Sequence, residues 1–509
     1  MWLALTPRLD LYLFCAWMMI VPLPFGSNRT WALALTLPPL FALAIRVAWR
    51  KRETWTSSFA GTLTQWPNVC LLGFILVLVA QLVPIGGSAL SIVPHQTTIY
   101  LLVALACATC CWLTTHLITD ESDLKLLLYA MLACGTLQAM IGVFMHGANA
   151  SFSMLGSQLT TEVVTGTYLN QNHLAGYLNM CLAAGIGLLM GQLALPKTDR
   201  TWRQAARDWV SLSLSSKARI RLILVLMVIA LILTHSRMGN FAFMSGLLVA
   251  AAVYAIFAGE RRRGLLILIG SLLVIDIVLI GAWVGVGKVI DRVTSTSLVR
   301  SATGSGDDRP TDARGASAPA ETSTRTEESV EQRIDPAYDA IDIIKSRPIL
   351  GTGGGTFYIA FTNYADRDLG YYNHAHNDYL EIATDTGLLG FGLLLAFALN
   401  ALWTAVRVLW LRRNDTVRAA AYCSLMSIIC MGLHSFVDFN LQIPANAMMF
   451  TIVLTLPMVA KTLRTKRRRG TSKKRDKAQV PKVQTTVVRP LSGALPQAIS
   501  ASATGEQAA

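Results

Sequence analysis

The chain has 509 residues, 53% hydrophobic and only 15% charged, with a mean hydropathy of +0.47 and a formal net charge of +14. A soluble domain carries about 25% charged residues, so this chain cannot cover a soluble surface, and the disordered, fibrous and small disulfide-rich classes are excluded with it. In a polytopic membrane protein the basic excess belongs first to one face of the bilayer, so it is mapped onto a topology before any nucleic acid is considered.

In chain order, runs long enough to span a bilayer, about 20 mostly apolar residues, fall at about 9–25, 31–49, 68–86, 98–118, 124–146, 169–195, 219–236, 238–258, 264–287, 386–410, 417–437 and 442–461. They predict an all-α polytopic bundle of about twelve transmembrane helices. No small-x-small cleavage pattern follows the first run, which is read as a retained anchor. The seventh and eighth runs meet near 236–238 with almost no loop. All nine cysteines lie inside apolar runs, so no disulfide framework is implied. Cys107, Cys110 and Cys111 have a metal-like spacing but no nearby His, Asp or Glu, and are read as packing residues.

Twelve spans put both termini on one side. The even-numbered connections and the termini hold about 32 of the 44 Lys and Arg. The positive-inside rule makes that side cytoplasmic. Four segments follow: spans one to nine (1–287), a large outward loop (288–385), spans ten to twelve (386–461), and a basic tail (462–509). The tail's Lys466–Lys477 run should hug anionic lipid, and its Pro-, Ser-, Thr- and Ala-rich end cannot build a core. Within the outward loop, 303–331 has no apolar period and is expected to be a disordered insert. Beyond it, Asp335 and Pro336 should start a helix. Ile334, Tyr338, Ile341 and Ile344 form its stripe, and Arg347 and Pro348 end it.

The outward face carries the candidate chemistry. His376 lies in the run Tyr371–Glu381, just before span ten, with Asn377 or Asp378 as the expected helix cap. The helix dipole disfavours imidazolium there, and a neutral imidazole that can take a proton is a general base. The competing reading is a pair of surface histidines in a polar turn. Arg237, where span seven ends, offers a planar fork of donors that suits phosphate, or else it is a snorkelling interface arginine. Arg333 precedes the predicted amphipathic helix, whose backbone amides could join it in holding an anion; otherwise it is an ordinary loop charge. Gly351–Gly355 lacks the Lys-Ser/Thr of a phosphate loop and is read as a flexible bend. Asn170, Asn172 and His173 at the outer start of span six, with His434, Asp438 and Asn440 at the outer end of span eleven, form either a polar ring around the outer mouth or plain interfacial caps.

His376-Asn377, nine residues, then Gly387-Leu388-Leu389-Gly390 resembles the signature of the O-antigen ligase/polymerase superfamily of bacterial membrane glycosyltransferases. Ser236-Arg237, Asn170-Gln171-Asn172 and the segment Arg333–Phe357 resemble further family features, over about 160–445. The resemblance implies an inner-membrane enzyme with no cofactor and no metal, inverting at the anomeric carbon. Its donor would be a glycan on undecaprenyl pyrophosphate at the periplasmic leaflet. Its acceptor would be a hydroxyl of lipid A-core sugar (ligase) or of another lipid-linked repeat unit (polymerase). His376 would be the base, Arg237 and Arg333 the pyrophosphate contacts, and Asn377, Asn170, Asn172 and Asp438 supporting groups. Membrane lipids and other polysaccharide-assembly proteins are further expected partners; nucleic acid is not. His374 falls outside the signature spacing and serves as an internal control. The length of the 303–331 insert leaves ligase and polymerase both open. The competing class is a transporter of a small anion or solute, which would place polar groups at the membrane midplane. Here they crowd one face, with Asp276 the main exception.

Overall fold

The computed structural model describes residues 7–52, 66–85, 88–148, 152–154, 157–159, 163–191, 216–257, 270, 339–364 and 373–463. Its helices are α1 (Pro7–Ile20), α2 (Thr30–Arg50), α3 (Trp66–Leu82), α4 (Pro94–Leu117), α5 (Glu121–Gly147), α6 (Gln171–Met190), α7 (Ser216–Leu233), α8 (Arg237–Ile256), α9 (Phe357–Tyr364), α10 (Asp378–Leu411), α11 (Asp415–His434) and α12 (Pro444–Thr462). All but α9 correspond to expected spans, so eleven of the twelve runs are helices. The ninth run apart from residue 270, the 303–331 insert, Arg333, Asp335, Pro336 and the tail beyond 463 lie outside the described residues. Eight of the described helices are long and apolar enough to cross a membrane. The molecule is an all-α polytopic bundle, with two minor antiparallel hairpins: Pro84–Ile85 with Ser88–Ala89, and Phe152–Met154 with Ser157–Leu159.

Local chemistry sets the helix ends. α1 is 14 residues long and stops at Ile20, short of the expected 25, because Pro22 and Pro24 cannot continue a helix. α5 starts at a capping box. The Asp120 carboxylate accepts from Ser122 and Asp123 N–H, and the Asp123 carboxylate reaches back to Asp120 N–H. α10 begins eight residues earlier than the apolar run suggests, because Asn377 caps it. The stripe expected around 341 is also shifted. In the helical segment 339–346 the buried positions are Ala340 and Ile343, and Ile341 is exposed.

α6 is the central helix. It is buried along its whole length and packs most extensively against α11, then α5 and α7. Small residues let these helices approach closely. Gly185 faces Leu132 and Leu224, and Gly187 sits against the Ala419 carbonyl. All nine cysteines are buried free thiols in the bundle.

The connections separate into two ends. At one end the buried Asp10 carboxylate takes ion pairs from Arg46 (2.7 Å) and Arg50. There too Lys51 donates to the His116 carbonyl (2.8 Å), and Arg418 to the Phe257 carbonyl (3.0 Å). At the other end Thr167 Oγ1 donates to the Pro22 carbonyl, Val164 N–H to Leu233, Ile92 N–H to Thr352, and Asp378 N–H to Ser435. The odd-numbered connections therefore meet at one end, and basic side chains of the even-numbered ones sit at the other.

Candidate functional site

The site is built where α10 starts. The Asn377 side chain accepts from Tyr379 N–H (3.0 Å) and Leu380 N–H (3.1 Å), and its amide donates to the Phe436 carbonyl (3.0 Å). This ties the α10 cap to the α11–α12 connection. His376, one residue before the cap, has a positive φ of 49°, a conformation uncommon outside glycine. Phe439 from the facing connection gathers three imidazoles. His374 stacks flat on it at 3.8 Å with an 11° interplanar angle, while His376 (5.1 Å) and His173 (4.6 Å) meet it edge-on.

Carboxylates lie behind these rings. Asp438 is buried, with His173 Nε2 at 3.5 Å and His434 Nε2 at 3.7 Å on its two oxygens. Burial alone would raise its pKa. The hydrogen bond and charge of His173, the charge of His434 and the Phe439 N–H outweigh that and hold it well below the usual carboxylate range. Asp378, also fully buried, accepts from Ser435 Oγ (2.7 Å) and from Leu441 N–H. Glu381 accepts from His374 Nδ1 (2.7 Å) with one oxygen and from Ala375 N–H (2.9 Å) with the other. Burial pulls the His374 pKa down, but the Glu381 charge and hydrogen bond, aided by Asp438, push it above the ordinary histidine value.

Gly351–Gly355 is a locked turn rather than a flexible bend. Gly351 to Gly354 are buried. Thr352 N–H donates to the Thr384 carbonyl and Gly353 N–H to that of Asp385, both 2.9 Å. The Asp385 carboxylate accepts from Gly355 N–H (2.8 Å) and Thr356 N–H (3.2 Å), which secures the start of α9. Gln81 of α3 spans the junction, accepting from Gly354 N–H and donating to the Asp385 carbonyl. Glycine is required at Gly387, whose φ of 68° and ψ of 177° break α10. A Cβ there would run into the Ile349 carbonyl and lie 2.6 Å from Leu350 N. The Gly387 of the signature is thus where the loop and the helix touch backbone to backbone.

The remaining expected residues fall as follows. Asn170 caps α6 by accepting from Asn172 N–H (2.8 Å). Asn440 is buried and accepts from Asn446 (3.2 Å), which also donates to the His173 carbonyl (3.0 Å). Arg237 is the exposed first residue of α8, just after the Ser236 cap. Its helical turn is fixed to α6 by the Asn179 amide donating to the Gly239 carbonyl (3.0 Å). Histidines 173, 374, 376 and 434 and Asp438 are therefore brought together, and Arg237 stands on a helix docked to the His173 helix. Among the described residues, no group of three His, Cys, Asp or Glu side chains is placed to hold a metal ion.

A cavity of about 490 Å³ adjoins the cluster, with walls from α2, α3, α4, α10 and α12. Phe74, Phe391, Leu394 and Phe450 make it apolar, while Arg29, Gln96, Tyr379 and Gln442 add polar groups. Ser435 and Leu441, the donors to Asp378, also line it. Sequence reasoning assigned no role to Glu381, Asp385, Phe439 or Arg29. A signal existed for the two acids: with Asp378, Glu381 and Asp385 recur at i, i+3 and i+7, one face of a helix.

Residues 222–395 match the O-antigen ligase family, which supports the O-antigen ligase/polymerase superfamily. The matched segment carries α7, α8, the large loop, His374, His376 and the first half of α10; His173 and Asp438 lie outside it. No curated protein matches the chain.

Proposed function

We propose that this chain is a bacterial inner-membrane glycosyltransferase, moving a glycan from undecaprenyl pyrophosphate to an acceptor sugar hydroxyl at the periplasmic leaflet. The observation that carries the reading is the junction of a histidine–carboxylate cluster with an apolar cavity. An amphipathic donor needs both: a slot for isoprenoid chain and a polar head site where a sugar–phosphate bond can break. The buried Asp, Glu, His and Arg residues of the described helices also lie near helix ends, not at the midplane where transporters bind solute.

In this mechanism His376 takes the acceptor hydroxyl's proton. The freed oxygen attacks the anomeric carbon, and the bond from that carbon to the phosphate oxygen breaks with its electron pair going to pyrophosphate. Direct attack inverts the anomeric centre. Arg237 and Arg333 hold the pyrophosphate and stabilise the charge as it leaves. Asp438, with Asn170, Asn172 and Asn377, supports the outer ends of α6 and α10 around the base.

His376→Ala tests the reading. Transfer is abolished, while the variant still inserts and still binds the lipid-linked donor, because the base acts on the acceptor. Arg237→Ala weakens donor binding, and Arg237→Lys does not fully restore it, because a point charge lacks the guanidinium fork. Near-normal product from His376→Ala would refute general-base catalysis from this loop. A deletion strain separates the two reactions: single-repeat-capped lipopolysaccharide marks a polymerase, and rough lipopolysaccharide with intact lipid-linked chains marks a ligase.

A further inference from the structure

Two histidines stand two residues apart in the site loop, and only His376 has the spacing of the signature. His374 is nonetheless held firmly in place. Its Nδ1 is 2.7 Å from Glu381 Oε1, and the other Glu381 oxygen accepts from the next backbone N–H, Ala375, at 2.9 Å. The Glu381 side chain is only 4% exposed, so a buried carboxylate has both oxygens committed to this two-residue stretch. One face of the imidazole lies flat on Phe439. Tilt and direction of the ring are therefore fixed, and the opposite edge, Nε2, has no partner among the described residues. The side chain keeps 32% of its surface accessible.

We propose that His374 is an anion-binding residue of the site, its Nε2–H donating to a phosphoryl oxygen of a lipid pyrophosphate. This rests on the glycosyltransferase reading above and adds a residue to it. A buried carboxylate that bonds an imidazole favours its charged form, and a charge-assisted hydrogen bond is roughly twice as strong as a neutral one. When the sugar–phosphate bond breaks, the departing pyrophosphate gains negative charge. His374 meets that charge with a hydrogen bond and keeps its own proton, while the acceptor's proton goes to His376. The charged or titratable groups around His374 are Glu381 and Asp378 from α10, Asp438 and His434 from the α11 end, His173 from α6, and His376 across Phe439. Among the carboxylates, Glu381 alone bonds His374 directly among the described residues.

The test uses full-length protein in lipid nanodiscs and measures binding of undecaprenyl pyrophosphate at pH 5.5 and pH 8. Wild type binds at both, and keeps more of its pH 5.5 affinity at pH 8 than Glu381→Gln does. His374→Phe keeps an aromatic ring for Phe439 but has no donor, and binds about tenfold more weakly or worse at both pH values. His374→Gln, which keeps a neutral donor, falls between them. Glu381→Gln preserves an acceptor for Ala375 N–H. Without the carboxylate the imidazole loses its charge by pH 8, since an ordinary histidine titrates near about 6.5. This variant therefore binds close to wild type at pH 5.5 and as weakly as His374→Gln at pH 8. Wild-type affinity in His374→Phe would overturn the assignment while leaving the glycosyltransferase reading intact. So would an equal loss at both pH values in Glu381→Gln, which marks a merely structural carboxylate. Failure of the wild type to bind undecaprenyl pyrophosphate would overturn both.

Discussion

Gly387→Ala is the sharpest test of how the site loop is held. Gly387 combines a positive φ with an extended ψ, a region essentially restricted to glycine, and occupying it with a side chain costs of order 1–3 kcal/mol. Its added Cβ would also meet the Ile349 carbonyl and Leu350 N. The Ile349 carbonyl is held by Leu389 N–H (3.4 Å), and the flanking chain by the hydrogen bonds from Leu388 N–H to Pro348 and from Gly351 N–H to Arg347, so these backbone atoms cannot easily swing aside. Overpacking of this kind costs about 1–3 kcal/mol more. The sum, about 2–6 kcal/mol, is a large share of the 5–15 kcal/mol typical of a folded domain. Gly392, five residues along the same helix, is the comparator: nothing lies within 4 Å of its added Cβ. Gly392→Ala should be neutral or gain up to about 1 kcal/mol from helix propensity. Denaturation of purified protein in nanodiscs reads both, and glycan product reports whether the loop survives. Stabilities for the two variants within about 1 kcal/mol of each other would refute the backbone-contact argument.

Asp10→Ala should destabilise by about 3 kcal/mol, the low end for breaking a buried pair, because Arg46 and Arg50 stay partly exposed and keep solvent; unchanged denaturation would show that the pair is idle. For pH, the His374 pKa is raised by Glu381, so its stabilising contribution is full below about pH 6.5 and is lost as pH rises through the raised value. His374→Phe should flatten that alkaline decline in a melting series. Asp438 is depressed by its histidine neighbours, so its contribution is full above about pH 3.9 and fades only in strong acid. For topology, a reporter at Ser317, outside the described residues, should be active only in its periplasmic form; a cytoplasmic signal would undo the outward assignment of 288–385. A chain stopped after Lys477 should complement a deletion strain, and loss of product at normal membrane level would give the tail a role.

The spans were legible because bilayer insertion is a local property: twenty apolar residues declare themselves without reference to the rest of the chain. Asn377 was legible as a cap for the same reason. The pairings were not. His173 and Asp438 are 265 positions apart by subtraction of their numbers, and no periodicity connects them. His374 looked like a control because a motif records spacing, while its bond to Glu381 is a matter of which way a turn points. Gly351–Gly355 looked flexible because glycine is permissive in an unfolded chain. In the folded one, that permissiveness is spent on backbone contacts with Asp385 and Thr384.

The burial of α6 has a consequence for how the protein is made. This helix carries His173 and Asn179 and is buried by protein along its spanning window. It leaves the ribosome 225 residues before α11 begins, counting from Met190 to Asp415. At about 5–20 residues per second, that wait is on the order of ten to forty-five seconds. Throughout it, His173, which will later meet Asp438 and Asn446, stands in a half-built membrane protein. Until then, the biogenesis machinery, and not the finished bundle, must shelter that side chain from lipid.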